Sequence, residues 1–456
     1  MEPDSQRDLR QPISILERLG TEIGIVAVQL SDHIRQHDYH PPSFDIDTPI
    51  QVLPSTASQE AHELRRKLKR DALALFRLAS GPSEYTAHVS MNHQYTVCLR
   101  YLSQFQIFSL VPREGSISIS DLAATAQVPL PQLNTVLRMA ATGGLFEFHS
   151  SDAIGHSAAS LLHSNSPQFT AWNNCVSQYV FNASAQLPAA TQLWGDSCDP
   201  THSPFNLAFN STLPFGKFLA SNPSIAQVMG QFVQATEMVD SNDVRHLVTG
   251  YEWGTLKEAI LVDVASASLA PILALAKIFP SLSFVIQPQE KAVTQINSIY
   301  TSLDDELRSR ITIIQTQADP RAGGTPMEEE KSGSERTHSG PKIFLLRHAL
   351  HNLPDYVCQS ILKNLSYALH AQKPHGRILI MDMVLPEYGE LDPYEEAMLQ
   401  TRQMIQLELA NGRGRSMMHW KSLVSQVESE MGQLVVRKVS RPPGSDLSIL
   451  EIELEA

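Results

Sequence analysis

The chain of 456 residues has few basic residues and no long apolar runs. Its 35 Lys and Arg are outnumbered by 48 Asp and Glu, which gives a formal net charge of −13. Affinity for nucleic acids comes largely from neutralising phosphates, so no nucleic-acid partner is expected. No apolar run approaches the roughly 20 residues that a spanning helix needs, so no membrane association is expected either.

Cysteine is also scarce. The four cysteines, Cys98, Cys175, Cys198 and Cys358, show neither paired nor metal-ligand spacing, so we expect no metal site. The polar start MEPDSQRDLRQ lacks the features of a signal peptide. These observations favour a soluble, cytoplasmic protein whose length suffices for two domains and an additional arm.

The most informative absence concerns glycine in a predicted turn. The predicted strand over residues 260–264 contains Asp263 and leads through a tight turn into a helix, as nucleotide-binding α/β units begin. Such turns use glycine so that the backbone can approach the ligand closely. Ala265, Ser266 and Leu269 occupy the turn instead.

This region resembles the adenosylmethionine site of caffeate-type O-methyltransferases, especially their fungal branch. The family pattern runs L-V-D-V-G-G-x-x-G and then F-P-x-L-x-F-x-V-Q-D, and it is matched at Asp263, Val264, Phe279, Pro280, Leu282, Phe284 and Gln287. The resemblance implies that Asp263, Ser266 and Gln287 bind S-adenosyl-L-methionine in a degenerate site. Pro288 replaces the family's ribose-binding Asp, and losing two such hydrogen bonds, roughly 1.5–3 kcal/mol each, predicts weakened binding.

The resemblance covers nearly the whole chain and implies an α/β fold. We expect a Rossmann-like methyltransferase sheet preceded by an N-terminal helical arm and a winged-helix dimerisation domain. The expected divisions are an arm over residues 1–60, a winged-helix domain over 61–165, a helical linker and substrate-pocket region over 166–255 and a methyltransferase domain over 256–456. A segment rich in Gly, Pro, Ser and charge predicts a solvated inserted loop over residues 319–341.

Residues 117–160 have the pattern of helix, turn, helix and β-wing, with Asp121 as the expected N-cap of the first helix. A winged helix can bind DNA, but the second helix, over residues 130–141, has Arg138 as its single basic residue. The module's role in the family, dimerisation, is therefore favoured. An apolar stripe along residues 13–36 also predicts a homodimer.

Polar candidates follow the predicted strand over residues 342–347. Ligands gather at the carboxyl ends of strands in open α/β sheets, so these groups should face the cleft. The segment resembles the family motif R-H-x-L-H-D-W-P-D, which implies that His351 is the catalytic base and Arg347 a cation of the pocket. Asp382, after the next strand, corresponds to the acid that orients the base. His348 is expected to be structural.

Two further features follow from the same resemblance. A second acid flanks the base in plant members, within a G-K-E-R-T motif that reads GRGRS over residues 412–416, so Gly414 cannot supply that carboxylate. The implied substrate pocket contains Phe232, Met238, Met398, Met404 and Asn411. A stripe of methionines is, however, also typical of a core.

Three functions remain open. The first is a non-methylating enzyme, like the fungal pericyclases of natural-product pathways that keep the methyltransferase fold, dehydrate alcohols and steer cycloaddition or ene reactions. The second is an ordinary S-adenosylmethionine-dependent O-methyltransferase. The third is a non-catalytic pathway coactivator. The altered cofactor motif and the retained polar pocket favour the first.

Overall fold

The computed structural model describes residues 13–314, 340–351, 353–370 and 376–455. The loop predicted over residues 319–341 thus lies outside the described residues, apart from its last two positions. The chain forms two compact units. The first contains the described residues up to Phe181 and Ser224–Ala235, and the second contains Asn182–Pro223 and the residues from Thr236 onward.

Helices occur throughout the described residues and dominate the N-terminal part of the chain. The α-helices are α1 Ile15–Gln36, α2 Gln59–Met91, α3 His93–Gln104, α4 Ile107–Leu110, α5 Ile119–Ala126, α6 Leu130–Thr142, α7 Ala158–Asn165, α8 Pro167–Asn174, α9 Phe181–Ser184, α10 Leu187–Trp194, α11 Pro204–Phe209, α12 Phe215–Ala220, α13 Pro223–Thr236, α14 Arg245–Thr249, α15 Ala270–Ile278, α16 Val293–Thr301, α17 Asp305–Arg310, α18 Asp355–His370, α19 Pro393–Ala410 and α20 Met417–Ser425. A π-helix spans Cys175–Val180, and short 3-10 helices span Asp240–Asn242, Trp253–Leu256 and Glu290–Ala292.

In the described part of the predicted N-terminal arm, α1 is the long helix. Ser14 caps α1 through a capping box with Glu17, which satisfies two backbone donors that the helix cannot use itself. Leu30 and Ile34 of α1 are buried in a small core that they share with the start of α2. Helix α2 is kinked at Gly81, which has a φ of 67°.

A small sheet follows in the first unit. Strands β1 (Ile117–Ser118), β2 (Glu147–Phe148) and β3 (Ala153–Gly155) pair antiparallel in the order β1-β3-β2, with α5 and α6 before the β2–β3 hairpin. The prediction of Asp121 as N-cap is wrong. Ser118 caps α5 and accepts a 3.0 Å hydrogen bond from the Asp121 backbone N–H, because the short strand β1 ends there and the helix begins three residues earlier than predicted.

The second unit contains a seven-stranded sheet. Its strands are β4 Ile260–Ser266, β5 Ser283–Pro288, β6 Ile311–Ile313, β7 Lys342–Arg347, β8 Arg377–Met383, β9 Gln433–Ser440 and β10 Leu447–Glu455. The order is β6-β5-β4-β7-β8-β10-β9, and β10 is antiparallel to both of its neighbours while the other pairs are parallel. This mostly parallel sheet confirms the predicted Rossmann-like fold.

Both faces of this sheet are buried, as the continuous apolar runs of its central strands predict. Ile260 and Phe344 belong to the core on one face, and Leu261 and Leu345 belong to the core on the other. Side chains alternate between these two buried faces along each strand, so polar residues are accommodated mainly at the strand ends. Within the described part of the chain, no helix combines the length and apolarity that crossing a membrane requires.

Candidate functional site

Four parallel strands end in polar residues at the same edge of the sheet. Asp263 and Ser266 lie near the end of β4, Gln287 lies near the end of β5, Arg347 ends β7, and Asp382 is the penultimate residue of β8. Parallel strands present their carboxyl ends together, which is where α/β proteins bind ligands. The sheet thus brings these five predicted site residues to one edge.

His351 and Asp382 form a close pair. His351 follows β7 in a short loop, and its Nδ1 lies 2.8 Å from Oδ1 of Asp382. Such contacts often tighten when substrate binds. If Nδ1–H donates to this carboxylate, Nε2 carries the lone pair that can accept a proton.

The Asp382 carboxylate is completely buried. The backbone N–H groups of Leu350 and His351 donate to its Oδ2 at 2.9 and 3.1 Å, and that of Met383 donates to Oδ1 at 2.9 Å. Burial acts to raise its pKa, but His351, His348 and the Leu350 N–H outweigh burial and lower the pKa to about 2. Asp382 is therefore an anion that can stabilise a protonated His351.

Arg347 is held by the segment that follows α13. Its Nη1 donates to Oε1 of Glu237 at 2.9 Å, and its Nη2 donates to the carbonyl of Asn242 at 3.3 Å. The guanidinium is mostly buried. It also acts electrostatically on Asp263 and His348, so its positive charge lies near both of these groups.

His348 lies beside the pair, and its ring meets that of His351 edge to face with 5.9 Å between centroids. Burial, followed by the charge of Arg347, lowers the pKa of His348 well below its usual range. One donor atom each from His348, His351 and Asp382 lies within 4.8 Å of the others, a donor set that transition metals accept. The nearby positive charges of Arg347 and Arg402 disfavour a metal cation at this place. The pairing of His351 with Asp382 is therefore the more favourable arrangement.

Asp263 is a buried carboxyl on β4. Burial raises its pKa to about 6, with smaller opposing effects from Ser266 and Arg347. In this environment the carboxyl is ionised only in part at mildly acidic pH. A ligand that donates a hydrogen bond or carries positive charge would favour its anionic form.

The resemblance to the family implies that adenosylmethionine would bind at the end of β4 and in the turn that follows it. Ala265 adopts the left-handed φ of +58°, which glycine adopts without penalty. Its carbonyl accepts a 2.8 Å hydrogen bond from Nε2 of Gln289, and Leu269 is fully buried in the core. Pro288, paired with Ser266 at the end of β5, supplies no carboxylate. These residues fit the ribose of the cofactor poorly.

The predicted pocket residues are distributed over several elements. Met398 and Met404 lie on α19, where Met404 is exposed. Asn411 caps the end of α19, and its amide donates to the carbonyls of Ser197 and Asp199 at 2.8 and 2.9 Å. The remaining two, Phe232 and Met238, belong to different units, and the Phe232 ring lies 5.2 Å from that of Trp172.

Sequence reasoning missed a second charged group near Arg347. Arg402 donates to Oδ1 of Asn242 at 3.1 Å and contacts Oδ2 of Asp446 at 3.1 Å. Asn242 thereby contacts both arginines. No local signal could have identified this group, since Arg402 and Asn242 lie 160 positions apart.

Comparison with known proteins identifies the family. Residues 331–428 match the family model of the O-methyltransferase domain. The O-methyltransferase aoiF of Aspergillus oryzae is 34% identical over 430 residues, which cover 94% of this chain and 97% of that protein. The chain belongs to the O-methyltransferase family.

Solved structures of this family's fold support the architecture. OxaC in complex with SAH and oxaline has a TM-score of 0.66 at 18% identity, over 96% of this chain and 100% of the other. A protein described as a pericyclic reaction enzyme has a TM-score of 0.65 at 15% identity, over 96% and 100%. At these identities the likeness concerns the fold.

Proposed function

We propose that this member of the O-methyltransferase family is a non-methylating enzyme that dehydrates a small natural-product alcohol and directs its cyclisation. The observation that carries the proposal is the pairing of His351 with a fully buried, anionic Asp382 at the strand ends. A buried carboxylate costs several kcal/mol of desolvation. Retaining this pair beside an altered cofactor turn favours proton transfer as its role.

Dehydration needs only proton transfers that this pair can make. Nε2 of His351 removes a proton from the carbon next to the one that bears the hydroxyl, and Asp382 stabilises the imidazolium that forms. The electrons of the broken C–H bond form the new double bond as the C–O bond breaks. The imidazolium then returns the proton to the departing hydroxide, which leaves as water.

Arg347 would act on the charge that develops during this reaction. Glu237 and Asn242 fix its guanidinium, so the cation needs little reorganisation when a substrate carbonyl gains negative charge. Cyclisation of the unsaturated product then requires no further proton transfer. The pocket would select among products by holding one folded conformer of the substrate.

The turn after β4 supports the non-methylating part of the proposal. Pro288 in place of an acid removes the bonds expected to the ribose hydroxyls, and Ala265 stands where the family uses glycine. The fold is compatible with such chemistry, since a pericyclic reaction enzyme shares it. We therefore expect binding of adenosylmethionine too weak for turnover.

A second candidate, methyl transfer, is favoured by the relatives. The protein from Aspergillus oryzae, 34% identical across almost its full length, is named an O-methyltransferase. In that case His351 would deprotonate a substrate hydroxyl instead of a carbon. The base and its partner acid would be the same, so mutation of His351 alone does not separate the two functions.

The deciding experiment uses the compound that accumulates when the gene is deleted. Purified protein is incubated with it, with and without adenosylmethionine, and the products are identified by mass spectrometry. Loss of one water without added cofactor supports the proposal, whereas gain of a methyl group only with cofactor supports methyl transfer. Calorimetric titration with adenosylmethionine should show millimolar affinity or none. If the compound is unchanged in both arms, the coactivator function replaces both.

A further inference from the structure

We infer that Arg415 is a positioning residue that fixes the loop carrying His351. This inference rests on the proposed role of His351 as the base. Arg415 lies between α19 and α20 and is nearly fully buried. Its Nη1 donates to the carbonyl of Leu350 at 2.9 Å, and its Nη2 donates to the carbonyl of Leu353. One side chain thus holds the loop on both sides of His351.

The peptide unit that joins Leu350 to His351 is held at both ends. Its carbonyl accepts from Arg415, and its N–H, which belongs to His351, donates to Oδ2 of Asp382 at 3.1 Å. A peptide unit is planar and stiff. Fixing both polar atoms therefore fixes the direction in which the His351 side chain leaves the backbone. The Asp382 carboxylate also contacts the imidazole ring through its Oδ1.

Arg415 is itself held in place. Its Nε donates to Oδ1 of Asp355 at 2.9 Å, and its Nη2 donates to the same oxygen at 2.7 Å. Its guanidinium carbon lies 5.1 Å from the ring centroid of Trp420. His419 contacts the other oxygen of Asp355 at 2.8 Å. A planar fork with several donors can serve one carboxylate and two carbonyls together, which a lysine ammonium cannot reproduce.

The preceding glycine explains how Arg415 reaches this place. A Cβ on Gly414 would lie 2.3 Å from Oε1 of Gln403 and 2.7 Å from Cδ1 of Leu385. A side chain at position 414 would therefore require the side chains of Gln403 and Leu385 to move. The Arg415 carbonyl then accepts from the Leu385 N–H at 2.9 Å, which ties the segment to the residues after β8. Here the chain has exchanged the family's acid at this position for close packing.

The test compares Arg415→Lys with Arg413→Lys. Arg413 lies two positions away but is half exposed and pairs with the exposed Asp196, so it provides a matched control. The probe is the protein itself, labelled with 15N-histidine, with the His351 signals assigned by their loss in His351→Gln. We expect a single tautomer protonated at Nδ1 in the wild type and in Arg413→Lys. Arg415→Lys should show exchange between tautomers.

Kinetics provide the second readout, with the accumulating compound as substrate. Misplacing a base by about 1 Å can cost about 100-fold in rate, so Arg415→Lys should lower kcat tenfold to 100-fold with little change in KM. In a His351→Ala background the same substitution should cause no further loss, because Arg415 acts through that side chain. If Arg415 had a purely structural role, Arg415→Lys would instead lower kcat by the same factor with His351 present and with His351→Ala.

The outcomes separate this inference from the proposed function. If Arg415→Lys leaves the His351 signals unchanged, the positioning role is wrong, whatever the activity. If His351→Ala turns over at the wild-type rate, the proposed function fails, while the NMR comparison still decides the positioning role. Should Arg415→Lys not fold, Asp355→Asn removes the anchor of the guanidinium and must produce the same exchange between tautomers.

Discussion

At the scale of single residues, Asp382 has no exposed surface and still remains an anion, because backbone donors and His351 surround it. Replacing it removes more than a charge. An asparagine at this position can present its N–H₂ to His351 Nδ1, which forces the proton onto Nε2 and removes the lone pair that a base needs.

We therefore predict that Asp382→Asn lowers kcat by about 10²–10⁴-fold, the range typical of losing a positioned general base. Product analysis with the accumulating compound measures this effect. Asp71→Asn is a suitable control, because Asp71 is a buried carboxylate of the first unit that pairs with Lys67 and Arg70. A similar loss in both variants would indicate general destabilisation instead of a role in proton transfer.

Asp263 leads to a prediction about stability. Its pKa is raised from 3.8 to about 6 in the folded protein, so the folded state holds this proton more tightly than the unfolded state does. The contribution of this proton to the free energy of unfolding is complete below about pH 4 and is lost as the pH rises through about 6. The loss amounts to about 3 kcal/mol for a pKa shift of about two units. Asp382, with its lowered pKa, acts oppositely and only below about pH 4.

Urea unfolding of wild type and Asp263→Asn at several pH values between 4 and 7 tests this. The free energy of unfolding of the variant, relative to wild type, should rise across this range, because the variant has no carboxyl to ionise. Asp355→Asn provides a contrast. It removes a carboxyl whose pKa is lowered in the folded protein, so this variant should show no such rise. Parallel curves for Asp263→Asn and wild type would contradict the raised pKa.

At the scale of secondary-structure elements, the end of β4 and the turn that follows it carry an alanine, Ala265, in the left-handed conformation that glycine favours. A left-handed conformation costs a non-glycine residue roughly 1–2 kcal/mol. We predict that Ala265→Gly raises the free energy of unfolding by up to about 1 kcal/mol, since the unfolded chain also gains freedom. Ala267→Gly, on an exposed position without positive φ, should not stabilise.

The same turn allows a test of the lost cofactor site. Combining Ala265→Gly with Pro288→Asp restores the family residue at two of the altered positions. We predict that adenosylmethionine then binds at least tenfold more tightly, because one recovered hydrogen bond of about 1.4 kcal/mol would have that effect. Calorimetric titration of the single and double variants measures it. Equal affinity in wild type and double variant would mean that other residues, Leu269 among them, determine cofactor binding.

These elements also indicate how far sequence alone can reach. The strand over residues 342–347 lies where predicted, because a short apolar run is a local signal. Strand β4 extends two residues further than predicted, since Ser266 pairs with Pro288 of β5. The role of Arg415 was not predictable, because its partners lie 57 to 65 positions earlier in the chain.

At the scale of the whole molecule, two separate apolar cores flank the large sheet, and a smaller core joins α1 to α2. Helix α1 still presents apolar residues to solvent, with Ile25 53% and Val28 60% exposed. A paired surface is the simplest reason for a helix to keep such residues on its outer side.

The sequence prediction of a homodimer rests on a different set of apolar residues in α1, of which Val26, Leu30 and Ile34 are buried within the chain. The exposed Ile25 and Val28 offer another face of the helix for such a contact. Burying each of the two side chains would contribute roughly 1.5–3 kcal/mol, and a carboxylate in their place would have to be desolvated within a chain of net charge −13. We predict that Ile25→Glu combined with Val28→Glu converts a dimer into monomers, as measured by light scattering during gel filtration. Gln29→Glu adds one negative charge at a polar, exposed position of the same helix and should leave the dimer intact. A wild type that is monomeric at micromolar concentration, or a double variant that stays dimeric, would exclude α1 as the dimer contact and leave its apolar stripe to another partner.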